Sequence, residues 1–403
     1  MAHIAWLGKK SPFCGNVTYG LTTTHALRSR GHGISFIHFD TPATSLGRQA
    51  AAERVNDSER DDSSGDNPEV ALPYLVKGQV YTIPSLGAQR ELRESLARLR
   101  PDLVHASLTL SPLDFLLPDL CQQLGLPLVA TFHPPFDASL RNLTAGTQQL
   151  TYQLYAPSLA RFDRVIVFSE IQAEVLQRLG VPTDRLAVIP NGVDTTLWRP
   201  GHPSSDSPEL AELRRRFAGQ RVFLYMGRVA TEKNVEALLK AWRLVRPAGC
   251  LLVIVGDGPA RSALQQNTAD DAGVIWWGYE PSLERRVAFQ QLAEVFLLPS
   301  LVEGLSLALL EAMAAGSACV ATDAGADGEA LDGGAGIVIS TQGVTTQLRT
   351  LLPVLRDQPV LTAELGRRAR ARALDRYTLR GNIDALERLY QELLSGRPNL
   401  VAA

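Results

Sequence analysis

The feature that most constrains the fold is a series of short apolar segments, alternating with longer amphipathic stretches, that starts again halfway along the chain. Apolar segments bounded by Gly and Pro predict buried parallel strands, and the amphipathic stretches predict crossover helices. The predicted strands are 3–7, 33–37, 102–105, 127–131, 164–168 and 186–189, then 221–225, 251–255, 274–277, 295–298 and 318–321. The series predicts an α/β protein with two doubly wound domains facing each other across a cleft, where small ligands usually bind.

A linker divides the two series. Residues 200–208 are rich in Pro and Ser and poor in apolar side chains, which is the composition of a linker. The 403 residues are too many for one ordinary core. We therefore predict a first domain at 1–199, a second at 200–375, and a last helix at 376–403 that returns to the first domain.

Three further segments are assigned from composition and spacing. Helices are predicted at 238–245 and 304–315, between the strands of the second series, and the last helix is predicted because its apolar residues recur with helical spacing. The polar segment 47–68 is predicted to be a surface loop, and a lid or an acceptor-recognition loop remains an alternative.

Charge and cysteine content exclude several classes of protein. The chain has 40 Lys and Arg against 42 Asp and Glu, a net charge of −2, which argues against a nucleic-acid partner because phosphate backbones require a surplus of cations. The four cysteines lie far apart, so neither a disulfide framework nor a thiol metal site is expected. The apolar stretch 305–321 is interrupted by Glu311, and a spanning helix needs about 20 apolar residues. We expect a cytoplasmic protein, with peripheral attachment to a membrane as the alternative.

The most informative segment begins directly after the predicted strand 295–298. It carries Glu303 and Glu311, which are separated by seven residues, followed by Ala-Met-Ala-Ala-Gly. The first turn of the predicted helix, at Gly304, Leu305 and Ser306, should present backbone N–H groups to an anion. A carboxylate accepts two hydroxyl hydrogen bonds, which suits sugar and ribose recognition.

This segment resembles the donor-sugar motif of the family 4 retaining glycosyltransferases, which have the GT-B fold of two Rossmann-like domains. The resemblance implies that Glu303 contacts hydroxyls of the transferred sugar and that Glu311 holds the nucleotide ribose. It also implies an enzyme without a cofactor, since the nucleotide sugar is itself a substrate. No Asp-x-Asp pair follows a hydrophobic strand, and we therefore expect no metal.

A second segment, 225–234, follows the first strand of the second half. Gly227 lets the chain turn close to a ligand, and Arg228 and Lys233 supply a forked and a compact cation. The segment is similar to the diphosphate clamp of the same family. The resemblance implies that both cations bind the diphosphate and stabilise the charge on the leaving group.

Four further residues are candidates by the same resemblance. Gly256 and Gly258, in a Gly-x-Gly-Pro turn, are predicted to form a wall of the nucleotide site. Gly15 and Asn16 replace the Gly-Gly pair with which the family contacts donor phosphate and acceptor; we expect a close backbone approach to the ligand at Gly15 and a side-chain hydrogen bond between Asn16 and sugar.

His133 stands where the family has an active-site histidine near the reacting sugar. A lone histidine is more often structural, but His133 follows the C-terminal end of the predicted strand 127–131. The resemblance therefore implies an active-site role for His133.

The acceptor is predicted from the opening segment 8–19, Gly-Lys-Lys-Ser-Pro-Phe-Cys-Gly-Asn-Val-Thr-Tyr. This segment is similar to that of cyanobacterial glycosyltransferases of the digalactosyldiacylglycerol synthase type. The similarity implies UDP-galactose as donor and a galactolipid as acceptor, with Phe136, Leu140 and Leu143 as candidate membrane contacts. The alternatives are a family 4 enzyme with a soluble or polysaccharide acceptor, an epimerase of similar fold, and a catalytically silent nucleotide-sugar-binding subunit.

Overall fold

A computed structural model describes residues 1–11, 14–40, 69–78, 81–136, 145–202, 206–268 and 273–396. The predicted surface loop 47–68 lies outside these residues, as do Leu140 and Leu143.

The first half forms a parallel sheet of seven strands within the described residues, in the order β3-β2-β1-β6-β7-β8-β9. Its strands, with the antiparallel hairpin β4–β5, are β1 (His3–Leu7), β2 (Gly33–Phe39), β3 (Val70–Leu72), β4 (Tyr74–Lys77), β5 (Thr82–Pro84), β6 (Leu103–Ser107), β7 (Leu128–Thr131), β8 (Arg164–Val167) and β9 (Leu186–Val188). The interior strands are buried on both faces, as a sheet covered by helices on both sides requires.

The second half forms a parallel sheet of six strands in its described part, in the order β12-β11-β10-β13-β14-β15. These strands are β10 (Arg221–Met226), β11 (Cys250–Val255), β12 (Val274–Gly278), β13 (Val295–Leu298), β14 (Ala318–Thr322) and β15 (Ile337–Ile339). In each sheet the strand order reverses beside its first strand in sequence, which is β1 in the first sheet and β10 in the second. Such a switch point places ligands at the carboxyl ends of the strands, and the two sheets confirm the predicted pair of doubly wound domains.

Helices connect the strands of both sheets. They are α1 (Gly15–Ser29), α2 (Ala88–Leu99), α3 (Leu117–Leu124), α4 (Ala145–Leu159), α5 (Glu170–Arg178), α6 (Pro208–Arg216), α7 (Val235–Val245), α8 (Arg261–Gln266), α9 (Leu283–Leu292), α10 (Leu307–Ala315), α11 (Asp327–Ala330), α12 (Val344–Asp357), α13 (Pro359–Arg376) and α14 (Leu379–Ser395). In the part of the chain that the structure describes, no helix combines the length and the apolar character that crossing a membrane would require.

The last helix, α14, packs against the first domain. The Tyr390 hydroxyl lies 2.5 Å from Nδ1 of His105, and Arg30 forms ion pairs with Asp384 and Glu387 at 2.5 and 2.7 Å. Just before this helix, the backbone of Val193 hydrogen-bonds to residues 377 and 379. Helix α14, which follows the second domain in sequence, is therefore attached to the first domain.

The strands predicted from the sequence all occur, within one or two residues of their predicted ends. The strands β3, β4, β5 and β15 were not predicted, because three or four residues carry too little periodicity to identify a strand. The helix predicted at 304–315 begins later, at Leu307, because the Ser306 hydroxyl accepts a hydrogen bond from the Leu309 N–H and caps the helix.

Candidate active site

Two loops at the carboxyl ends of neighbouring strands form the centre of the site. Strands β10 and β13 are adjacent and parallel, so the loops that follow them meet although they lie about 70 residues apart. The amide of Asn234 donates to the Pro299 carbonyl at 3.2 Å, and the Leu301 N–H donates to the Glu232 carbonyl at 2.8 Å. Asn234 has a positive φ of 52°, which asparagine tolerates better than most residues. These contacts fix Lys233 beside the loop that carries Glu303.

Lys233 and Glu303 form an ion pair in the cleft. The Lys233 ammonium lies 2.5 Å from Oε1 of Glu303, and the Ser300 hydroxyl donates to the same oxygen at 2.8 Å. Glu303 is buried, with 8% of its surface exposed. A buried carboxylate needs such partners, and the pair holds one cation and one hydroxyl acceptor at fixed positions.

A third charged group, Asp327, lies against this pair and was not predicted from the sequence. It is fully buried, and its Oδ1 accepts the Ser306 N–H at 2.8 Å while Oδ2 has no partner among the described residues. Burial and the nearby charge of Glu303 raise the pKa of Asp327 well above its ordinary value, and Lys233 partly offsets this.

Asp327 occupies one N–H group of the predicted anion site at Gly304, Leu305 and Ser306. The Ser306 N–H is occupied by the carboxylate, and the Gly304 and Leu305 carbonyls accept hydrogen bonds from Ala326 and Asn191. Of this predicted site, the N–H of Ser306 is therefore not available to an anion in this arrangement.

Arg228 lies on the same loop as Lys233 but is more exposed. Its guanidinium forms an ion pair with Glu232, four residues further along the chain. Its backbone carbonyl accepts a hydrogen bond from the Tyr225 hydroxyl at 2.7 Å. The side chain of Arg228 is 41% exposed. The two predicted cations therefore lie on one loop, with Lys233 anchored in the cleft and Arg228 at its rim.

Glu311 lies on α10 and is half-buried. Within the described residues it forms no hydrogen bond or ion pair at contact distance, and the positive charge of Arg286 acts on it from α9. Burial raises the pKa of Glu311 to about 8, and the charge of Arg286 opposes that rise. A carboxyl group without a protein partner can accept hydrogen bonds from two hydroxyls once it has lost its proton.

The glycines at 256 and 258 have a packing role in the structure, and their predicted place in the nucleotide wall remains a prediction. A Cβ at Gly256 would lie 1.9 Å from the Gly227 carbonyl oxygen, and one at Gly258 would lie 2.3 Å from that of Val229. Both glycines have a positive φ, of 142° and 157°. The backbone of the loop after β11 thus packs directly against the backbone of the loop that contains Gly227.

We expect Gly256→Ala to lower the free energy of unfolding by about 2–4 kcal/mol, because its Cβ would overlap a backbone oxygen that cannot move aside. Chemical denaturation measures the change. Gly146→Ala is the control, since a Cβ there meets nothing within 4 Å. Equal stability of the two variants would contradict the packing role.

The first domain contributes His133 to the opposite side of the cleft. A Cβ at Gly304 would lie only 3.3 Å from the His133 carbonyl oxygen, so the loop after β7 faces the loop of Glu303. The ring packs against Tyr19 and Phe168, with centroids 4.9 and 5.2 Å away. Burial, with the charge of Lys9, lowers the pKa of His133 to about 3. His133 is therefore neutral at physiological pH.

Gly15 and Asn16 begin helix α1 at the same edge of the first sheet. Gly15 is exposed, and a Cβ there would meet nothing within 4 Å. The Asn16 side chain instead hydrogen-bonds to Ser107 and Leu108 within the domain. The structure thus gives Asn16 partners other than the predicted sugar hydroxyl, and the predicted ligand contact at Gly15 remains a prediction.

Three polar residues of the site were missed in the sequence. Asp327 and Ser107 each lie at or shortly after the carboxyl end of a strand, β14 and β6, and this position in parallel strands is the signal that could have found them. Arg286 lies within helix α9, and no local pattern marks it.

Two family models match most of the chain. The model described as Glycosyltransferase Family 4 matches residues 15–197, and the model described as Glycosyl transferases group 1 matches residues 220–357. The first matched segment contains the strands of the first sheet except β1, and the second contains all six strands of the second sheet.

Curated relatives and solved structures are similar to this chain. The alpha-maltose-1-phosphate synthase of Mycolicibacterium smegmatis is 29% identical over 271 residues, 63% of this chain and 70% of that protein. The alpha-monoglucosyldiacylglycerol synthase of Streptococcus pneumoniae is 27% identical over 219 residues, and the match covers 50% of this chain and 47% of that protein. Anabaena Alr3699/HepE, solved with UDP, superposes with a TM-score of 0.74 at 17% identity, covering 97% of this chain and all of that one.

That last likeness concerns the fold alone, and it agrees with the two parallel sheets described above. The family models account for both halves of the chain, including the loops that carry Lys233, Glu303 and His133. The chain belongs to the family 4 glycosyltransferases, and it is a glycosyltransferase of the GT-B fold.

Proposed function

We propose that the enzyme transfers a hexose from a nucleotide sugar to a hydroxyl acceptor with retention of configuration and without a metal ion. The observation that carries this proposal is the Lys233–Glu303 ion pair, which faces the His133 loop of the other domain across the cleft. It sets a cation for a diphosphate beside a carboxylate for sugar hydroxyls, with the loop of His133 opposite.

In the proposed reaction the bond between the sugar C1 and the diphosphate breaks, and a bond from C1 to the acceptor oxygen forms on the same face. The departing phosphate takes the acceptor proton, so that a nucleoside diphosphate and a glycoside leave. Lys233 and Arg228 stabilise the negative charge that builds on the diphosphate. His133 is neutral and serves as a hydrogen-bonding group rather than as a proton carrier.

We further propose that the donor is UDP-galactose and that the acceptor is a membrane galactolipid, monogalactosyldiacylglycerol. Two likenesses support this choice: the opening segment 8–19, and the similarity of half the chain to a protein named as a glycolipid synthase. The lipid product would be digalactosyldiacylglycerol. The nucleotide sugar is a substrate, and no cofactor is invoked.

An exposed apolar hairpin in the first domain supports a lipid acceptor. Strands β4 and β5 and the residues beside them expose large apolar side chains, which are Leu75, Val76, Tyr81, Ile83 and Leu86. The hairpin adjoins the loop after β6, where the Thr82 N–H lies 3.4 Å from the Leu110 carbonyl. Each such side chain contributes about 1.5–3 kcal/mol when it leaves water completely. Phe136, predicted as a membrane contact, is instead buried against Tyr152.

We expect the double variant Leu75→Asp/Tyr81→Asp to lower transfer to galactolipid in vesicles by about tenfold or more, because two buried charges oppose insertion. Vesicle flotation and transfer of labelled galactose measure the effect. Val360→Asp, at an exposed apolar position of the second domain, is the control. A double variant that binds vesicles and transfers sugar as the wild type does would count against this surface.

Product analysis with labelled UDP-galactose and UDP-glucose tests the donor and the acceptor together. The proposal predicts galactose in the lipid phase when monogalactosyldiacylglycerol is present. Label in a water-soluble glycoside would indicate a soluble acceptor, and an isomerised sugar nucleotide would indicate an epimerase. No consumption of any donor would indicate a silent binding subunit.

A further inference from the structure

Three polar side chains form a chain of hydrogen bonds that ends at the histidine of the cleft. The Asn16 amide nitrogen donates to the Leu108 carbonyl oxygen at 3.1 Å. The Ser107 hydroxyl donates to Oδ1 of Asn16 at 2.8 Å, and the same hydroxyl oxygen lies 2.8 Å from Nε2 of His133. Helix α1 and strand β6 provide the first two residues, and the third follows β7.

The direction of every bond in this chain follows from one backbone carbonyl. The Leu108 oxygen can only accept, so the amide nitrogen of Asn16 must face it and the amide oxygen must face Ser107. A flipped amide would set two acceptors 3.1 Å apart. The Ser107 hydroxyl therefore donates its single proton to Asn16. In the hydrogen bond between Ser107 and His133, Nε2 of His133 must then be the donor and the hydroxyl oxygen the acceptor.

This assignment leaves Nδ1 of His133 without a proton. A neutral imidazole carries one N–H and one acceptor nitrogen, and the partner of one nitrogen decides the state of the other. The rings of Tyr19 and Phe168 hold the imidazole on two sides. Burial keeps the ring neutral, with a pKa near 3, so the second nitrogen stays an acceptor across the physiological range.

We infer that Asn16 and Ser107 are positioning residues that lock His133 in the Nε2–H tautomer, so that its Nδ1 accepts a hydrogen bond from a substrate hydroxyl. The identity of that hydroxyl, on the transferred sugar or on the acceptor, rests on the proposed function. The lock itself belongs to the protein without substrate. The lock gives a role to Asn16, which stands where the family has the second glycine of a Gly-Gly pair. The side chain of Asn16 points into the domain.

Nitrogen NMR of the histidine ring tests the lock without any substrate. In protein labelled with ¹⁵N-histidine, the His133 signals, assigned by their loss in His133→Gln, should show a protonated Nε2 and an unprotonated Nδ1. In Asn16→Ala the Ser107 hydroxyl can turn toward His133, and both nitrogens should shift toward the average of the two tautomers. A protonated Nδ1 in the wild type, or an unchanged ring in Asn16→Ala, would overturn the inference.

Kinetics then show whether Asn16 acts through His133. We expect Asn16→Ala to lower kcat/KM by about tenfold, the effect of one misdirected hydrogen bond, while Thr22→Ala at an exposed position of the same helix leaves it unchanged. In the background of His133→Ala, the Asn16 substitution should add no further loss. An equal tenfold loss in that background would overturn the positioning role, because Asn16 would then act independently of His133.

Ser107 offers a second route that separates folding from positioning. Ser107→Ala removes the hydroxyl and should reproduce both the ring signature and the kinetic loss of Asn16→Ala, whereas Ser107→Thr keeps the hydroxyl and should restore both. Thermal melting confirms that each variant is folded. The ring signals report the lock even if the enzyme is given the wrong acceptor, so failure of the proposed function and failure of this inference give different results.

Discussion

Lys233→Ala is expected to lower kcat for sugar transfer by about a thousandfold, the size of effect seen when a preorganised group that stabilises developing charge is removed. The ammonium of Lys233 is fixed by Glu303 at 2.5 Å and needs little reorganisation to meet a diphosphate. Its loss also leaves the buried Glu303 and Asp327 next to each other without a cation. The rate of release of nucleoside diphosphate from the donor, with and without acceptor, measures the effect.

Two matched variants separate the charge from the fold. Lys233→Arg keeps the cation and should retain part of the rate, although the forked group does not fit a site built for a compact one. Lys240→Ala removes an exposed lysine that pairs with Glu236 on α7 and should leave the rate unchanged. Wild-type turnover in Lys233→Ala with intact folding would contradict the role of the clamp.

Glu311→Gln is expected to weaken donor binding by about a hundredfold, because two ribose hydroxyls lose a charged acceptor and each such bond contributes about 1.5–3 kcal/mol. The pKa of about 8 gives this prediction a pH dependence. Below pH 8 the carboxyl group is mostly protonated, and a donor that prefers the carboxylate must release that proton. Donor affinity should therefore rise by about tenfold per pH unit up to about pH 8 and then level off. Titration calorimetry in two buffers measures both the affinity and the released proton.

The same pKa predicts that stability changes with pH in the direction opposite to donor affinity: it falls as the pH rises. The folded protein holds a proton on Glu311 that the unfolded chain loses near pH 4.3, so this group's contribution to stability falls as the pH rises from about 4.3 to 8. Glutamine imitates the protonated form and should make the variant more stable than the wild type at pH 8. A variant that binds donor normally and lacks this gain would contradict the assignment.

Local patterns were sufficient to predict most strands of the two sheets, whereas the candidate residues of the donor side came from the resemblance to a family and remain predictions. Strands of four or five apolar residues between turns fixed the two sheets, and a parallel sheet brings the ends of neighbouring strands together. This arrangement brings Lys233 and Glu303 into contact although they are 70 positions apart, and that contact was not predicted.

Contacts between distant segments could not be predicted. Asp327 occupies the N–H of Ser306 because α11 turns back toward the start of α10, and nothing in either segment indicates that approach. Likewise the partner of Asn16 is a strand end 91 residues away. The packing of Gly256 and Gly258 against the loop of Gly227 could not be predicted either, because a positive φ and a close backbone approach produce the same residue preference in a packed loop and in a binding loop.

Stereochemistry is the most direct test of the central claim, which is retaining transfer of a hexose from a nucleotide sugar in the cleft between the two domains. Wild-type protein should be given α-linked UDP-galactose, with UDP-glucose in parallel, and monogalactosyldiacylglycerol vesicles. The proton NMR spectrum of the product should then be read at the new anomeric position. An α-linked sugar on the acceptor, absent with Lys233→Ala, is the predicted result. A β-linked product, or equal yield from the Lys233→Ala enzyme, would contradict the account.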